Sequence, residues 1–415
     1  MSERALRRAS LDSIATPSIQ QCSCDVATPQ ETEAAVRPTR AEIDLAAIAH
    51  NVRVVREVVA EGRTAAPPAV YGVVKADAYG HGAVLAARAM QSAGAAGLCV
   101  ALVEEGIALR EAGVTLPILV MSGLYGDGID AVAHASLTPV LYDVEGVERA
   151  LRWSAPTPLD VHLKVDTGMA RLGVPMDHVG RVGERLAGAP HLRVTGVMTH
   201  FADADCDDDA FTYEQLTRFE AARATLREKG VAPPVTHAAA SAAAFRVERS
   251  RYDLVRCGIA LYGVAPFPNT APGLLPAMRL RTEVISLREI EKGAPVGYSG
   301  RWRAGRRSVI ATIPIGYADG FFRRLSSEAE ALVRGARAPV VGNVSMDLST
   351  LDVTDIARRF GVSVGDEVVL LGAQSGPAGF DVIRAEEIAA RVGTIAYEVL
   401  TAVSRRVPRV ATGEP

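Results

Sequence analysis

Between residues 70 and 263 short apolar runs recur: VYGVVKA from Val70, LCVA from Leu98, PILVM from Pro117, LTPVLY from Leu137, LDVHLKV from Leu159, VTGVMTH from Val194, PVTHAA from Pro234 and LVRCGIALYG from Leu254. Runs this short and this uniformly apolar read as strands buried on both faces, the habit of parallel sheets covered by helices. Most are separated by stretches such as YEQLTRFEAARATLREKG, whose apolar residues fall at helical spacing. The alternation predicts an α/β fold, and eight units predict an eight-stranded αβ barrel of TIM type. An open doubly wound sheet is the other arrangement the pattern admits.

The flanks differ from this core. AEIDLAAIAHNVRVVREVV, from Ala41, predicts a helix with Asp44 as N-cap. Beyond about Gly273, segments such as LRTEVISLREI, RRSVIATIPIG, APVVGNVSMDLSTLDVT and GDEVVLLGA are β-rich, with Gly, Asn, Asp and Pro at their turns. The expected organisation is a barrel over 38–272 and a mainly β C-terminal domain over 273–415, and two domains suit a chain of 415 residues. Residues 1–37 are polar and aperiodic and read as a disordered tail. Arg4, Arg7 and Arg8 are not followed by an apolar core of signal-peptide length, and a processed targeting segment is the minority alternative. A net charge of −3 offers nothing to nucleic acid, and no apolar run is long enough to span a bilayer. Cys22, Cys24, Cys99, Cys206 and Cys257 are odd in number and scattered, which predicts reduced thiols in a cytoplasmic protein. Cys22 and Cys24 lack companions for a zinc site, and no metal is expected.

In such a barrel the chemistry sits at the C-terminal strand ends. Lys75 ends the first run. There it is either a surface lysine opening a loop or a half-desolvated amine suited to imine formation with an aldehyde. Gly80 and Gly82 permit a tight turn after it. Ser241 follows the seventh run, and Gly258 and Ile259 follow Arg256 in the eighth. Either segment alone is ordinary turn chemistry. Together they supply a hydroxyl and backbone N–H groups where barrels of this kind commonly bind phosphate. A lysine and a phosphate cradle at one mouth point to a phosphorylated aldehyde cofactor, pyridoxal 5'-phosphate.

The chain resembles the alanine racemase family, fold-type III pyridoxal-phosphate enzymes, over residues 37–410. VVKADAYGHG, KVDTGMARLG, THFAD, RCGIALYG, IGYADG, GNVSMD and TIAYEVL stand in the family's order. The resemblance implies interconversion of L- and D-alanine by two bases, supplying D-alanine for the bacterial cell wall, in a homodimer with shared active sites. It implies Lys75 as the cofactor lysine and Tyr317 as the base on the other face. It implies Tyr79, Ser241, Gly258, Ile259 and Tyr397 as phosphate-binding, His200 against the pyridine ring and Arg256 at its nitrogen. Arg171 and the Met346 N–H would bind the substrate carboxylate, and Lys164 matches a position that some members carbamylate. Taken alone, Tyr317 reads equally as an aromatic packed in a β turn, His200 as a packed histidine and Arg171 as a solvated charge.

Ala240 stands where many members have Asn, and Cys257 where an aromatic or apolar residue is expected. Three other readings remain open: a serine or broader-specificity racemase, a decarboxylase of the same fold, and a non-catalytic pyridoxal-phosphate-binding protein. Arg256 argues against the decarboxylase, which benefits from a protonated pyridine. IGYADG and VSMD argue against the binding protein, whose kind lacks the β domain.

Overall fold

The computed structural model describes residues 36–62, 66–126, 128–267 and 273–415. The expectations for the first 35 residues, Cys22 and Cys24 included, lie outside the described residues. The eight apolar runs form one parallel sheet. Labelled after an N-terminal strand β1 (Arg40–Asp44), its members are β2 (Ala69–Val73), β3 (Gly97–Val100), β4 (Ile118–Val120), β5 (Thr138–Leu141), β6 (Leu159–Lys164), β7 (Leu192–Met198), β8 (Val235–His237) and β9 (Leu254–Cys257). They pair in chain order from β2 to β8, with β9 against β2. The seam between β8 and β9 is joined by the bridge of Ala240 to Arg256 and by Arg256 N–H donating to the Ala239 carbonyl at 2.9 Å. The sheet is therefore a nearly closed barrel. β3, β4 and β9 are buried at every residue, which is why these runs show no alternation.

Helix α1 (Leu45–Ala60) begins where the Asp44 carboxylate accepts the Ala47 N–H at 2.9 Å, and it buries Ile48, Val52, Val55 and Val59 along one stripe. The residues just before it are a correction. Arg40–Asp44 falls within the range expected for the barrel, yet β1 runs antiparallel to Met278–Glu283 and parallel to Arg409–Thr412 in the β-rich region. Its inward residues Ala41 and Ile43 alternate with half-buried Arg40, Glu42 and Asp44, a strand period that abuts the helical one. Arg37 is also held, by an ion pair to Asp319 at 2.8 Å, so the packed structure begins inside the stretch read as a tail.

The β-rich region has a seven-stranded sheet, a three-stranded sheet and a two-stranded ribbon. Three short helices, Thr354–Phe360, Ala385–Val392 and Ala396–Ala402, accompany them. Among the described residues no helix is long and apolar enough to cross a membrane, and no cluster of His, Cys, Asp and Glu has the makings of a metal site.

Candidate active site

Lys75 leaves the barrel directly after β2, and the chain then does something its sequence does not announce. Ala76, Asp77, Ala78 and Tyr79 all take φ between 52° and 54°, a left-handed turn made without glycine. Each such residue costs roughly 1–2 kcal/mol, so the turn is held from outside. Glu105 accepts the Ala76 N–H at 2.7 Å, the Asp77 carboxylate accepts the Ala83 N–H at 2.7 Å, and Arg409 Nε donates to the Gly80 carbonyl at 2.9 Å. His81 Nδ1 lies 3.0 Å from the carbonyls of both Ala78 and Tyr79, so it carries the proton. Its buried Nε2 has no partner, and burial pushes the ring's pKa down to about 4.

The turn buries Tyr79 between Tyr262 and Tyr397, with ring centroids at 5.0 and 5.8 Å. Its hydroxyl meets the end of β9, where a Cβ built on Gly258 would stand 2.5 Å from the Tyr79 oxygen. Ser241 opens the short helix after β8, and its hydroxyl oxygen accepts the N–H groups of Gly258 at 3.0 Å and Ala260 at 3.4 Å. Ile259 begins the turn that follows. Tyr79, Ser241, Gly258, Ile259 and Tyr397 thus lie together. Cys257 is buried and its thiol is pushed up to about 12 by burial, so it is an unreactive thiol.

Arg256 is buried in the barrel interior. Nη1 donates to His237 Nδ1 at 2.7 Å, and Nη2 donates to the carbonyls of Thr199 and Ala238, each at 3.0 Å, and faces His200 Nδ1 at 3.4 Å. A guanidinium only donates, so His237 accepts at Nδ1 and its Nε2 donates to His162 Nδ1 at 2.8 Å. The His162 ring has room only because residue 196 is glycine, where a Cβ would approach it to 2.6 Å. Burial, reinforced by Arg256, holds His162 at about 4 and His200 and His237 well below the ordinary range. Arg256 is lowered to about 10 by burial and remains a cation beside three neutral imidazoles.

On the next strands, Lys164 ends β6 and is lowered to about 8 by burial first, then by Arg256 and Arg171. The DTG loop folds back tightly, Val165 bridging Val174 and the Asp166 carboxylate accepting the N–H groups of Gly168 at 2.9 Å and Ala170 at 3.2 Å. This leaves Arg171 exposed at the mouth, with no protein hydrogen bond or ion pair among the described residues. Its charge still acts on Lys75, whose pKa is lowered by burial first and by Arg171 second. Gln215 locks the loop to the His200 segment, donating to Thr167 at 3.1 Å and to the His200 carbonyl at 3.2 Å while accepting from Ala202 at 2.9 Å.

Tyr317 and Met346 form a second, separate group in the β-rich region. Tyr317 N–H donates to the Ser345 carbonyl and Ala318 N–H to the Met346 carbonyl, both at 3.0 Å. Gly316 permits this approach, since a Cβ there would lie 2.3 Å from the Ser345 oxygen. Buried Asp319 anchors the loop through Arg37 at 2.8 Å and Arg406 at 3.4 Å. Both side chains point outward, Tyr317 at 42% exposure and Met346 at 52%, and none of the hydrogen bonds of either residue reaches the barrel-mouth group.

Sequence reasoning missed Glu105, Gln215, His162, His237, Asp319 and Arg409. His162 and His237 carried one faint signal, a histidine inside an apolar strand run, which an all-apolar barrel wall does not need.

The family described as "Alanine racemase, N-terminal domain" matches residues 43–266, and "Alanine racemase, C-terminal domain" matches 277–411. The chain is 50% identical to the alanine racemase of Sorangium cellulosum over 381 residues, covering 90% of this chain and 99% of that protein. It is 43% identical to that of Symbiobacterium thermophilum over 389 residues, 91% and 98% of the two chains. Among solved structures it is similar to the alanine racemase from E. faecalis, with a TM-score of 0.83 and 36% identity over 91% of this chain and 98% of that one. It is also similar to the Bacillus anthracis enzyme with bound L-Ala-P, with a TM-score of 0.82 and 36% identity over 91% and 95%.

Proposed function

The chain belongs to the alanine racemase family and interconverts the enantiomers of alanine, and from that premise we propose that Lys75 and Tyr317 move the α-proton on opposite faces of a substrate held by pyridoxal 5'-phosphate chemistry. The observation that carries the reading is the convergence on one barrel mouth of a half-buried lysine, a glycine-dependent cradle and a buried arginine.

The residues present fit the cofactor. A phosphate needs N–H and O–H donors and space. Gly258 supplies the space, since any side chain there would strike the Tyr79 hydroxyl. Tyr79, Ser241 and Tyr397 would supply hydroxyls, and Gly258 and Ile259 backbone donors. Lys75, with its proton affinity lowered by burial, is the amine that would join the aldehyde carbon. His200 would pack against the ring. Arg256 would face the ring nitrogen as a permanent cation and disfavour its protonation. When bound, the cofactor supplies a sink for the electrons left at the α-carbon, one weakened by Arg256 and so suited to moving a proton and nothing else.

Arg171 has no hydrogen-bond or ion-pair partner among the described residues and would present a planar pair of donors to the substrate carboxylate, with the Met346 N–H as a further donor. With the cofactor in place, the Lys75 amine would hold or take the proton on one face of the α-carbon, and the Tyr317 hydroxyl would serve the other. Among the described residues no hydrogen bond ties Tyr317 or Met346 to the mouth residues of its own chain, which supports a homodimer whose sites combine one barrel with the partner's β region. Lys164, near neutrality at about 8 and close to Arg171, can react with carbon dioxide to give an anion that would orient that arginine. Free Cys99, Cys206 and Cys257 suit a cytoplasmic enzyme, and the role we assign to its D-alanine is as a precursor of the bacterial cell wall. The domain division we adopt is barrel to residue 272 and β region from 273, with β1 returned to the latter.

The test is borohydride reduction of the yellow protein followed by peptide mapping, with α-deuterium exchange and chirality read out over a panel of amino acids. Label on Lys75 and exchange confined to alanine are expected. Label on another lysine removes the assignment.

A further inference from the structure

Glu105 stands at the third position of the helix Val103–Glu111, where a carboxylate ordinarily caps its own helix. One oxygen does this, accepting the N–H groups of Ala101 at 2.8 Å and Leu102 at 3.0 Å. The other oxygen leaves the helix, crosses from the β3 end to the β2 end, and accepts the Ala76 N–H at 2.7 Å. Ala76 follows Lys75 and is the first residue of the left-handed turn. Alanine has no local reason to stay at φ 52°, so this bond decides where the chain, and with it Lys75, turns out of the barrel. The far end of the turn is fixed separately, by Arg409 on the Gly80 carbonyl and by the packing of Tyr79.

The charges around Lys75 single out the same residue. Arg171, Glu105 and Cys99 act on the amine, and Lys75 in turn is felt by Lys164 and His200. Among these Glu105 is the one carboxylate.

We propose that Glu105 is a positioning residue for Lys75: it ties the lysine-bearing turn to the neighbouring strand end through the Ala76 amide and faces the amine with the anion that offsets Arg171. This rests on Lys75 as the cofactor lysine. The test therefore includes the cofactor-free protein, in which the effect on Lys75 is read whichever lysine carries the cofactor, while borohydride mapping tests that premise alone.

Glu105→Gln keeps length and one acceptor oxygen but loses the charge and the double reach. Glu105→Asp keeps the charge but is one methylene too short to hold both strand ends. In the cofactor-free protein, the pH midpoint for acetylation of Lys75, read by peptide mass, should fall by about half a unit in the Gln variant and move little in the Asp variant. In the holoenzyme both should lose about tenfold or more in kcat with KM changed less than about threefold, since a displaced catalytic group costs up to ~100-fold. Glu104→Gln, exposed on the same helical turn, is the control for charge lost from the helix start and should match wild type in both readouts. A folded Glu105 variant of either kind with wild-type kcat, or a Gln variant with the wild-type Lys75 midpoint, overturns the assignment. If the Gln variant does not fold, the kcat of the Asp variant decides.

Discussion

The barrel mouth and the Tyr317 loop are built in opposite ways. At the mouth, Lys75, Lys164, Arg171 and Arg256 converge, three histidines are held neutral, and the geometry is set by buried hydrogen bonds. The Tyr317 loop is the reverse. Its buried charge is a carboxylate, Asp319, used for anchoring, and Tyr317 and Met346 stand out into solvent. The proposed function accounts for the difference: a site that is to hold a phosphate and a carboxylate needs preformed cationic walls, and a loop proposed to complete another subunit's site needs a rigid base and an exposed tip. The contrast predicts that the two regions fail differently when changed.

The largest effect is expected at Lys75. On the roles proposed above, Lys75→Ala would remove both the cofactor attachment and one base and should lower kcat at least about 10⁴-fold. Tyr317→Phe, which on the same reading removes the second base, should cost about 10²–10⁴-fold, unequally in the two directions, read as α-deuterium washout from D- and L-alanine measured separately. Equal, mild losses would remove Tyr317 as a base. Mixing the two inactive variants after dissociation sharpens the comparison. With shared sites, each mixed dimer has one site free of both lesions. Random pairing then recovers roughly a quarter of wild-type activity. No recovery after proven subunit exchange would place both regions in one chain's site.

A smaller effect is expected from pH. His81 and His162 are lowered to about 4, and His200 and His237 lie well below the ordinary value of 6.5. Their folded pKa values are depressed, so the stability they contribute is complete above pH ~6.5 and is lost as pH falls toward the folded values. Each proton taken up on unfolding costs roughly 1.4 kcal/mol per pH unit in that window. The thermal midpoint should drop steadily from pH 6.5 to 5, where exposed carboxylates remain ionised, and His81→Phe should flatten the slope. A flat midpoint over that range would show that the histidines are not neutral in the fold.

Legibility follows from the range of the interactions. The eight barrel strands could be read because burial on both faces writes a local apolar run, and α1 because Asp44 and a helical period adjoin. β1 was hidden because RAEID is short and its partners lie more than two hundred residues away at Met278–Glu283 and Arg409–Thr412. The site residues that motifs named could be read as residue types. Their supports could not, since Glu105, Gln215 and Arg409 bind backbone amides or carbonyls of distant segments, contacts that leave no pattern in the sequence. The left-handed turn was invisible for a related reason. ADAY contains no glycine, and only the surrounding clamps make its conformation tolerable.

The smallest effect separates the chain's first residues from the first residues that pack. Composition alone predicts a dispensable segment through residue 37, but Arg37 pairs with buried Asp319 at 2.8 Å and also donates to the Arg406 carbonyl at 2.9 Å. Thr39, two residues on, is buried and bonded to Thr282 at 2.8 Å and to the Pro314 carbonyl at 2.7 Å. Pro314 precedes the Tyr317 loop, so both contacts hold the base of the exposed tip. Arg37→Ala leaves the buried Asp319 carboxylate with the Gly316 N–H at 3.1 Å and, as its cation among the described residues, Arg406 at 3.4 Å and at the surface. We expect a loss of about 1–2 kcal/mol, a fall of a few degrees in thermal midpoint, and a kcat lowered a few-fold through Tyr317 with cofactor binding unchanged. Deletion of residues 1–35 should leave both quantities at wild-type values. Equal behaviour of the point variant and the deletion, in either direction, would show that the boundary between dispensable and anchoring residues does not lie at Arg37.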